Sequence, residues 1–448
     1  MSDAATTATP AAVAPAAPPI SAGYRNYALG LLLLIYILNF VDRSVVNILA
    51  EPIKNDLGLA DWHIGLMSGV AFAIFYTFLG LPIAQIAERH NRPLIISIAL
   101  AVWSAFTALS GLAQNFTQLV LARIGVGVGE AGCTPPAHSL ISDYVPRERR
   151  ASALALYSMG IPLGGLVGMA VGGIVADAYG WRMAFFVCGL PGLAVALLAA
   201  FTLVETRVAQ VTRAPTLRLD DFRTALKTLA KKKTFWLVAF AASIKAFIGY
   251  GHAPFTASFF LRNHPEQIAE MAGDFGLKSV GFIGLALGLI AGTAGAAGAL
   301  LGGLIADKFG ARDLRAYVSV PAVAALVTVP VYVFAITTEY AALGIGVLAI
   351  NAILGTLWYG PVYATAQSIV EPHMRATAAA ILLFIINLIG LGLGPLAVGI
   401  LSDVLAKGWE FGAAEGIRWA LILSTVPNAL AFWLFWRARR TIRDEIVS

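Results

Sequence analysis

Five ionisable side chains sit inside otherwise apolar stretches: Asp42 and Arg43, Arg123 and Glu130, and Lys245. At the middle of a lipid-crossing helix each costs roughly 2.5–3.5 kcal/mol on insertion scales, so such residues are rare there without a task. Two of the five are acids that can take up and release protons. Two are guanidinium groups, whose planar fork matches a phosphate or carboxylate bidentately. Fully ionised, the five carry a net charge of +1, and protonating both acids raises this to +3. A cavity holding them binds an anion, and binds it better once its acids are protonated. Co-binding of proton and anion favours symport, whereas direct competition at Arg43 favours exchange.

Spacing places these groups on faces. Asp42 and Arg43 are neighbours and point about 100° apart on a helix. Asn39 and Asn47 lie four residues either side of Arg43 and share its face. Arg123 and Glu130 are seven apart, two turns up one face. Tyr359, Tyr363 and Gln367 form a polar stripe at intervals of four. We assign proton uptake to Asp42 and Glu130, anion contact to Arg43 and Arg123, and the polar cavity wall to Asn39, Lys245, Tyr359, Tyr363 and Gln367. A purely structural alternative exists for part of this set, in which Asp42 and Arg123 form a fixed ion pair holding two helices. Lys245 also reads as a side chain that snorkels toward the nearer membrane face. His252 and His138 read as buried structural histidines, and Cys133 and Cys188 as small buried hydrophobes.

Other chemistries are excluded. Gly127 to Gly132 fits GxGxxG literally but lies in an apolar helical run, without the strand that a dinucleotide fold needs. No metal-ligand spacing, nucleophile elbow or Walker sequence is present, so no metal, cofactor, catalysis or ATP drive is expected. Asn115-Phe116-Thr117 is a chance glycosylation sequon in a short loop.

The elements that must position these residues are membrane helices. The 448 residues are 58% hydrophobic and 12% charged, against about 25% charged in soluble domains. Twelve stretches are long and apolar enough to span: 28–49, 63–87, 94–112, 117–141, 152–176, 184–204, 235–261, 279–306, 316–337, 341–369, 377–401 and 418–437. Long apolar runs without alternation mean helices rather than a barrel. The expected organisation is a flexible tail 1–27, a six-helix half 28–204, a basic linker 205–234, a second six-helix half 235–437 and a tail 438–448. Within the linker, Asp220 to Ala230 reads as a surface helix. Twenty-two of the 31 Lys and Arg fall on the side of both termini, against six on the other. That bias puts both termini in the cytoplasm, and it accounts for the net charge of +6 without nucleic-acid binding.

The chain is internally duplicated. Ala84-Gln85-Ile86-Ala87-Glu88-Arg89-His90-Asn91-Arg92 follows the second span, and Gly303-Leu304-Ile305-Ala306-Asp307-Lys308-Phe309-Gly310-Ala311-Arg312 follows the eighth, 219 residues later. Pro146-Arg147-Glu148-Arg149 and Pro372-His373-Met374-Arg375 repeat at 226. Two six-span halves of like orientation form a parallel repeat, as in one large transporter class.

The loops after spans two and eight resemble the signature of the major facilitator superfamily. The first copy departs from it at Ala84, Glu88 and Asn91. Asp177 and Asp403, at the ends of spans five and eleven, fit the same resemblance. Asn39-Phe40-Val41-Asp42-Arg43, the stretch from Arg123 to Gly129-Glu130-Ala131, and the stretch from Asn387 to Gly394-Pro395 resemble its Spinster branch of lysolipid and sphingolipid transporters. The resemblance implies an all-α fold of twelve helices around a central cavity lined by helices one, four, seven and ten. It implies gating by Glu88, Arg89, Arg92, Asp307, Lys308 and Arg312, and a place in the inner membrane of a bacterium. Gly160, Gly164, Gly168 and Gly172 in span five, with Gly284, Gly288, Gly292, Gly295, Gly298 and Gly302 in span eight, are then expected to form the sliding surface between helices five and eight.

The function expected is a proton-coupled secondary transporter of an amphipathic anion, a lysophospholipid or sphingosine-phosphate-like lipid, working as a monomer by alternating access. The alternatives are the same fold carrying small organic anions or drugs, and a membrane receptor or membrane-embedded enzyme.

Overall fold

The computed structural model describes residues 20–206, 226–371 and 374–447. Much of the expected amino-terminal tail and linker, including the first part of the surface helix at 220–230, and Pro372-His373 lie outside them. Among the described residues every regular element is helical.

Eleven helices are long and apolar enough to cross a membrane. They are α1 (Ala22–Leu57), α2 (Asp61–Ala87), α3 (Arg92–Ser110), α5 (Ser152–Tyr179), α6 (Trp181–Thr202), α7 (Lys233–Asn263), α8 (Ser279–Gly310), α9 (Ala316–Thr337), α10 (Ala341–Ser368), α11 (Thr377–Gly408) and α12 (Gly412–Ala438). The remaining expected span is α4, which comes in two pieces, Phe116–Glu130 and Thr134–Tyr144. It breaks immediately after Glu130, where Pro135 and Pro136 cannot donate backbone hydrogen bonds to the preceding turn.

Local sequence sets the ends. The α1 helix begins at Ser21, whose side chain accepts the Tyr24 N–H, and stops at Gly58 in the left-handed conformation. Asn91 and Asn115 cap α3 and α4 in the same way, through the N–H groups of Leu94 and Gln118. The sequon at Asn115 is thereby accounted for as a helix cap. Gly180, at φ +87°, makes the tight turn from α5 to α6.

The ends of the bundle differ. At the end carrying residues 22 and 445, here called basal, the buried side chains fall into two cores. One runs through the first six spans, from Ala28 and Leu32 to Trp103, Leu140 and Tyr157. The other runs through the last six, from Phe235 and Ala239 to Val362, Leu382 and Phe435. At the opposite, distal end a single core joins both sets: Val45, Leu49 and Ile53 of α1 belong with Phe255, Phe259 and Phe260 of α7 and Ile336 of α9. The two sets share one core at the distal end, whereas toward the basal end they keep separate cores and meet through Leu391 of α11 and the Phe78–Phe384 ring contact.

Glycines set the closest approaches. A methyl at Gly284 would overlap the Met169 carbonyl oxygen, and one at Gly288 or Gly292 would press on Leu166, so α8 does run against α5. The glycine stripe of α5 faces elsewhere. Gly160, Gly164, Gly168 and Gly172 pack on Tyr36, Ile37, Phe40, Val41 and Val45 of α1, inside the first set. Gly298 and Gly302 pack on α10. The expected sliding surface is therefore corrected: only Gly284, Gly288 and Gly292, met by Gly173 near Val280, lie between the sets. Spacing of four makes a smooth face but does not say which neighbour fills it. Gly127 and Gly129 close α4 against Phe72 of α2 and Trp103 of α3, a packing role that disposes of the dinucleotide reading.

Candidate functional site

At mid-bundle α1 and α4 lie face to face in charge. Arg43 Nε and Nη2 each stand 2.6 Å from Glu130 Oε2, and Glu130 is buried. This differs from the Asp42–Arg123 ion pair considered from the sequence. Arg123 Nη1 reaches the Asp42 backbone carbonyl, at 3.4 Å. Glu130 ends the first piece of α4, two helical turns from Arg123.

Aromatic faces stand in for water around the cations. The Arg43 guanidinium lies 5.0 Å from the Phe40 ring, 4.8 Å from Phe72 and 4.5 Å from Tyr76. Arg123 lies 5.3 Å from Phe72, so one ring serves both cations. Asp42 Oδ1, Glu130 Oε1 and Arg123 Nε are buried and have no well-formed hydrogen bond among the described residues, with Thr107 facing Asp42 and Asn39 facing Glu130. Groups so poorly satisfied are uncommon in interiors and mark a place meant to take up a proton, water or ligand.

Between the two sets lies a cavity of about 420 Å³. The first set contributes Phe40, Arg43, Asn47, Ser68, Phe72 and Arg123. The second contributes Lys245, Tyr250, His252, Thr256, Tyr332, Asn351, Trp358, Tyr359 and Asn428. Lys245 is turned inward and buried, and its Nζ donates to Asn428 Oδ1 at 3.0 Å. It does not snorkel. His252 lines the cavity, bonded to Ser424 Oγ at 2.8 Å and stacked on Tyr332 at 4.4 Å, so it is a partnered wall residue. His138 is exposed, edge-on to Tyr157, rather than buried. Of the α10 stripe only Tyr359 borders the cavity; Tyr363 is half-buried and Gln367 is exposed. Asn39 is buried behind the wall and does not line it. Cys133 and Cys188 are buried and free, as expected.

The cavity wall is where the helices are irregular. Ser68 precedes a break at Gly69 in α2, Ile290 opens a π-helical segment in α8, Trp358 follows a break in α10, and Leu391 lies in the π-helical segment Ile386–Leu393 of α11. Irregular backbone at membrane depth is tolerated where it faces protein or a cavity, and π-turns concentrate at functional sites.

A second charged group, which the sequence reading missed, seals the distal end. Arg262 at the end of α7 pairs with Glu51 of α1 at 2.6 Å and with Asp61 of α2 at 2.8 Å, and Lys54 joins Asp61 at 2.6 Å. Ser402 of α11 donates to Asp61 at 2.6 Å. Two acids cap helices of the opposite set. Asp403 accepts the N–H groups of Asp61 and Trp62 at the start of α2, and Asp177 accepts that of Gly281 at the start of α8. A carboxylate is favoured at a helix N-terminus by the free N–H groups and the dipole there. The places of Asp177 and Asp403 at the ends of spans five and eleven are the sequence signal that points to this end.

The residues assigned to gating lie at the basal end. Arg92 is fully buried within the first set, held by Asp143 at 2.6 Å, by Ser139 at 2.8 Å, and by Glu205 and Thr206. Arg89, Asp307, Lys308 and Arg312 are exposed, with Asp307 accepting from Tyr317 at 2.8 Å. The side chain of Glu88 lies outside the description.

The chain is similar to known proteins over most of its length. Residues 32–395 match the Major Facilitator Superfamily. An "MFS-type efflux pump" of Mycolicibacterium smegmatis is 33% identical over 422 residues, 94% of each chain. A "Hexuronate transporter" of Bacillus subtilis is 26% identical, covering 82% of this chain and 85% of its own. The solved structure of a bacterial homolog to the human lysosomal transporter Spinster, in an inward-facing and occupied conformation, superposes with a TM-score of 0.82 at 32% identity, covering 96% of this chain and 99% of that one. Its unoccupied counterpart gives 0.83.

Proposed function

The chain belongs to the Major Facilitator Superfamily and is a Spinster-like integral membrane transporter; from that premise we propose that it carries an amphipathic anion by proton-coupled alternating access. The observation that carries this reading is the ion pair between Arg43, which lines the cavity, and Glu130, buried behind it. While Glu130 is ionised it occupies the guanidinium. Protonation of Glu130 removes the competing charge and frees Arg43 for a phosphate or carboxylate, so proton and anion bind together. Asp42, with its poorly satisfied oxygen beside Arg123, is the second proton site, and Arg123 the second head-group contact. Phe40, Phe72, Tyr250 and Tyr359 give the apolar wall that a lipid tail requires.

The cargo class is a single-chain lipid with an acidic head group, a lysophospholipid or sphingosine-phosphate-like molecule. A second reading, small organic anions, is favoured by the cavity volume of about 420 Å³, which lies toward the small end of the usual 300–1,000 Å³ for ligand sites, and by the likeness to a hexuronate transporter. The excess of Lys and Arg on the basal side supports cytoplasmic termini in a bacterial inner membrane. The separate basal cores then support an inward-facing state.

Flux into proteoliposomes decides. An inward acid gradient is expected to accelerate uptake of a lysophospholipid, and Asp42→Asn or Glu130→Gln to remove that dependence. Uptake equally fast without a gradient overturns proton coupling. Uptake of glucuronate with no effect of lysolipid selects the second reading.

A further inference from the structure

We propose that Lys245 and Asn428 form a separate oxyanion subsite on the second six spans, which holds the acidic group of the cargo across the cavity from the two arginines. The proposal deepens the transporter reading, since it rests on the cavity being where cargo sits. Lys245 belongs to α7 and Asn428 to α12, and both line the one cavity.

The donor inventory is what distinguishes this wall. Lys245 Nζ has three protons and spends one on the neutral Asn428 carbonyl. No carboxylate among the described residues comes within ion-pair reach of it. By contrast Arg43 already holds Glu130, at 2.6 Å. Asn428 Nδ2 is buried and has no hydrogen-bond partner among the described residues, whereas the Tyr332 hydroxyl faces Thr256 and stays outside the subsite. His252, two turns along α7 from Lys245, is bonded to Ser424 and stacked on Tyr332, which fixes that ring.

A purely structural lysine does not fit these surroundings. Lys245 and Asn428 are 5% and 0% exposed. An ammonium taken out of water needs a counter-charge or several hydrogen bonds, and one neutral amide supplies neither. Tethering α7 to α12 would be done as well by two apolar side chains of the same volume. Ammonium and amide N–H side by side on one cavity wall are both donors, and what satisfies them together is one oxyanion, a phosphate monoester or a carboxylate. Hydrogen bonds to charged groups are the strong ones, so loss of the ammonium is expected to cost about tenfold or more in affinity.

The test is equilibrium binding to the full-length protein in nanodiscs with three probes. Decyl phosphate is the lipid-like oxyanion, glucuronate the soluble one, and decyl glucoside the neutral control. Lys245→Met is expected to weaken the oxyanion probe that binds by at least tenfold and to leave decyl glucoside within twofold. Lys245→Arg is expected to keep binding within about threefold. Asn428→Asp, which gives Lys245 an internal carboxylate, is expected to imitate Lys245→Met. Whichever oxyanion shows the effect identifies the source of the group. Unchanged oxyanion binding in Lys245→Met overturns the subsite, as does an equal loss for decyl glucoside, or a wild type that binds neither oxyanion. Proton coupling is read separately from flux: loss of gradient dependence with Lys245-dependent binding intact overturns the coupling and leaves the subsite standing.

Discussion

Arg43 spends two donors on one carboxylate oxygen while three aromatic rings surround it. Removing one member of a buried pair leaves an uncompensated charge, which costs about 3–5 kcal/mol, whereas replacing both can be nearly neutral. Arg43→Met alone is therefore expected to lower the unfolding midpoint more than Arg43→Met combined with Glu130→Gln. A thermal-unfolding cycle of the four proteins measures this, and additive losses would show that the two groups are not coupled. Arg43→Lys keeps the charge but loses the flat fork and its stacking. It should fold and carry its anion at least tenfold more slowly. That these residues matter was legible from their charge in apolar sequence. Which acid meets which base was not, because the pairing depends on how α1 and α4 are rotated against each other.

At the scale of elements, the contact between α5 and α8 has no room for a side chain at Gly284. Gly284→Ala must push the helices apart where the sets meet distally. Gly303→Ala, on the same helix with open space around it, serves as the control. The first is expected to reduce the distally closed population, read as a longer distance between spin labels at Asp56 and Phe275, and the second to leave it unchanged. The turn after α7 makes a different prediction. His264 is buried beside Phe259 and Phe260, and this burial, aided by the nearby Arg418 charge, holds its imidazole below its usual value. The unfolded chain then binds a proton that the folded one refuses. Stability attributable to His264 is complete above its ordinary value of about 6.5 and falls as pH drops below it. His264→Phe should flatten the decline in melting temperature between pH 7 and pH 5, and an unchanged decline would assign it to other groups. Helix count and most boundaries could be read from hydropathy. The break in α4 and the partner of each glycine stripe could not, since both are answers to neighbouring helices.

For the whole molecule, the distal seal is the feature that ties the two sets together. Arg262, Glu51, Asp61 and Lys54 come from three helices, and Asp403 and Asp177 cap helices across the boundary. Asp61→Asn removes the acid shared by Arg262 and Lys54. A cysteine placed at Thr256, on the cavity wall, should react slowly with an impermeant maleimide from the distal side and faster once Asp61→Asn is present. Cys133 and Cys188 are buried and give little background. Equal labelling in both backgrounds would show that the ion pairs do not hold the gate.

Composition alone determined that this chain lives in a membrane, because 12% charge leaves too little polar surface for a soluble fold of 448 residues. Its duplication determined two like-oriented sets of six spans, and the scarcity of charge singled out the five residues at membrane depth. The tertiary structure decided the rest. It joined Arg43 to Glu130, turned Lys245 and His252 into the cavity, left Gln367 outside it, and built the seal from residues at helix ends. Periodicity fixes which face of a helix a residue occupies, but only packing fixes what that face meets.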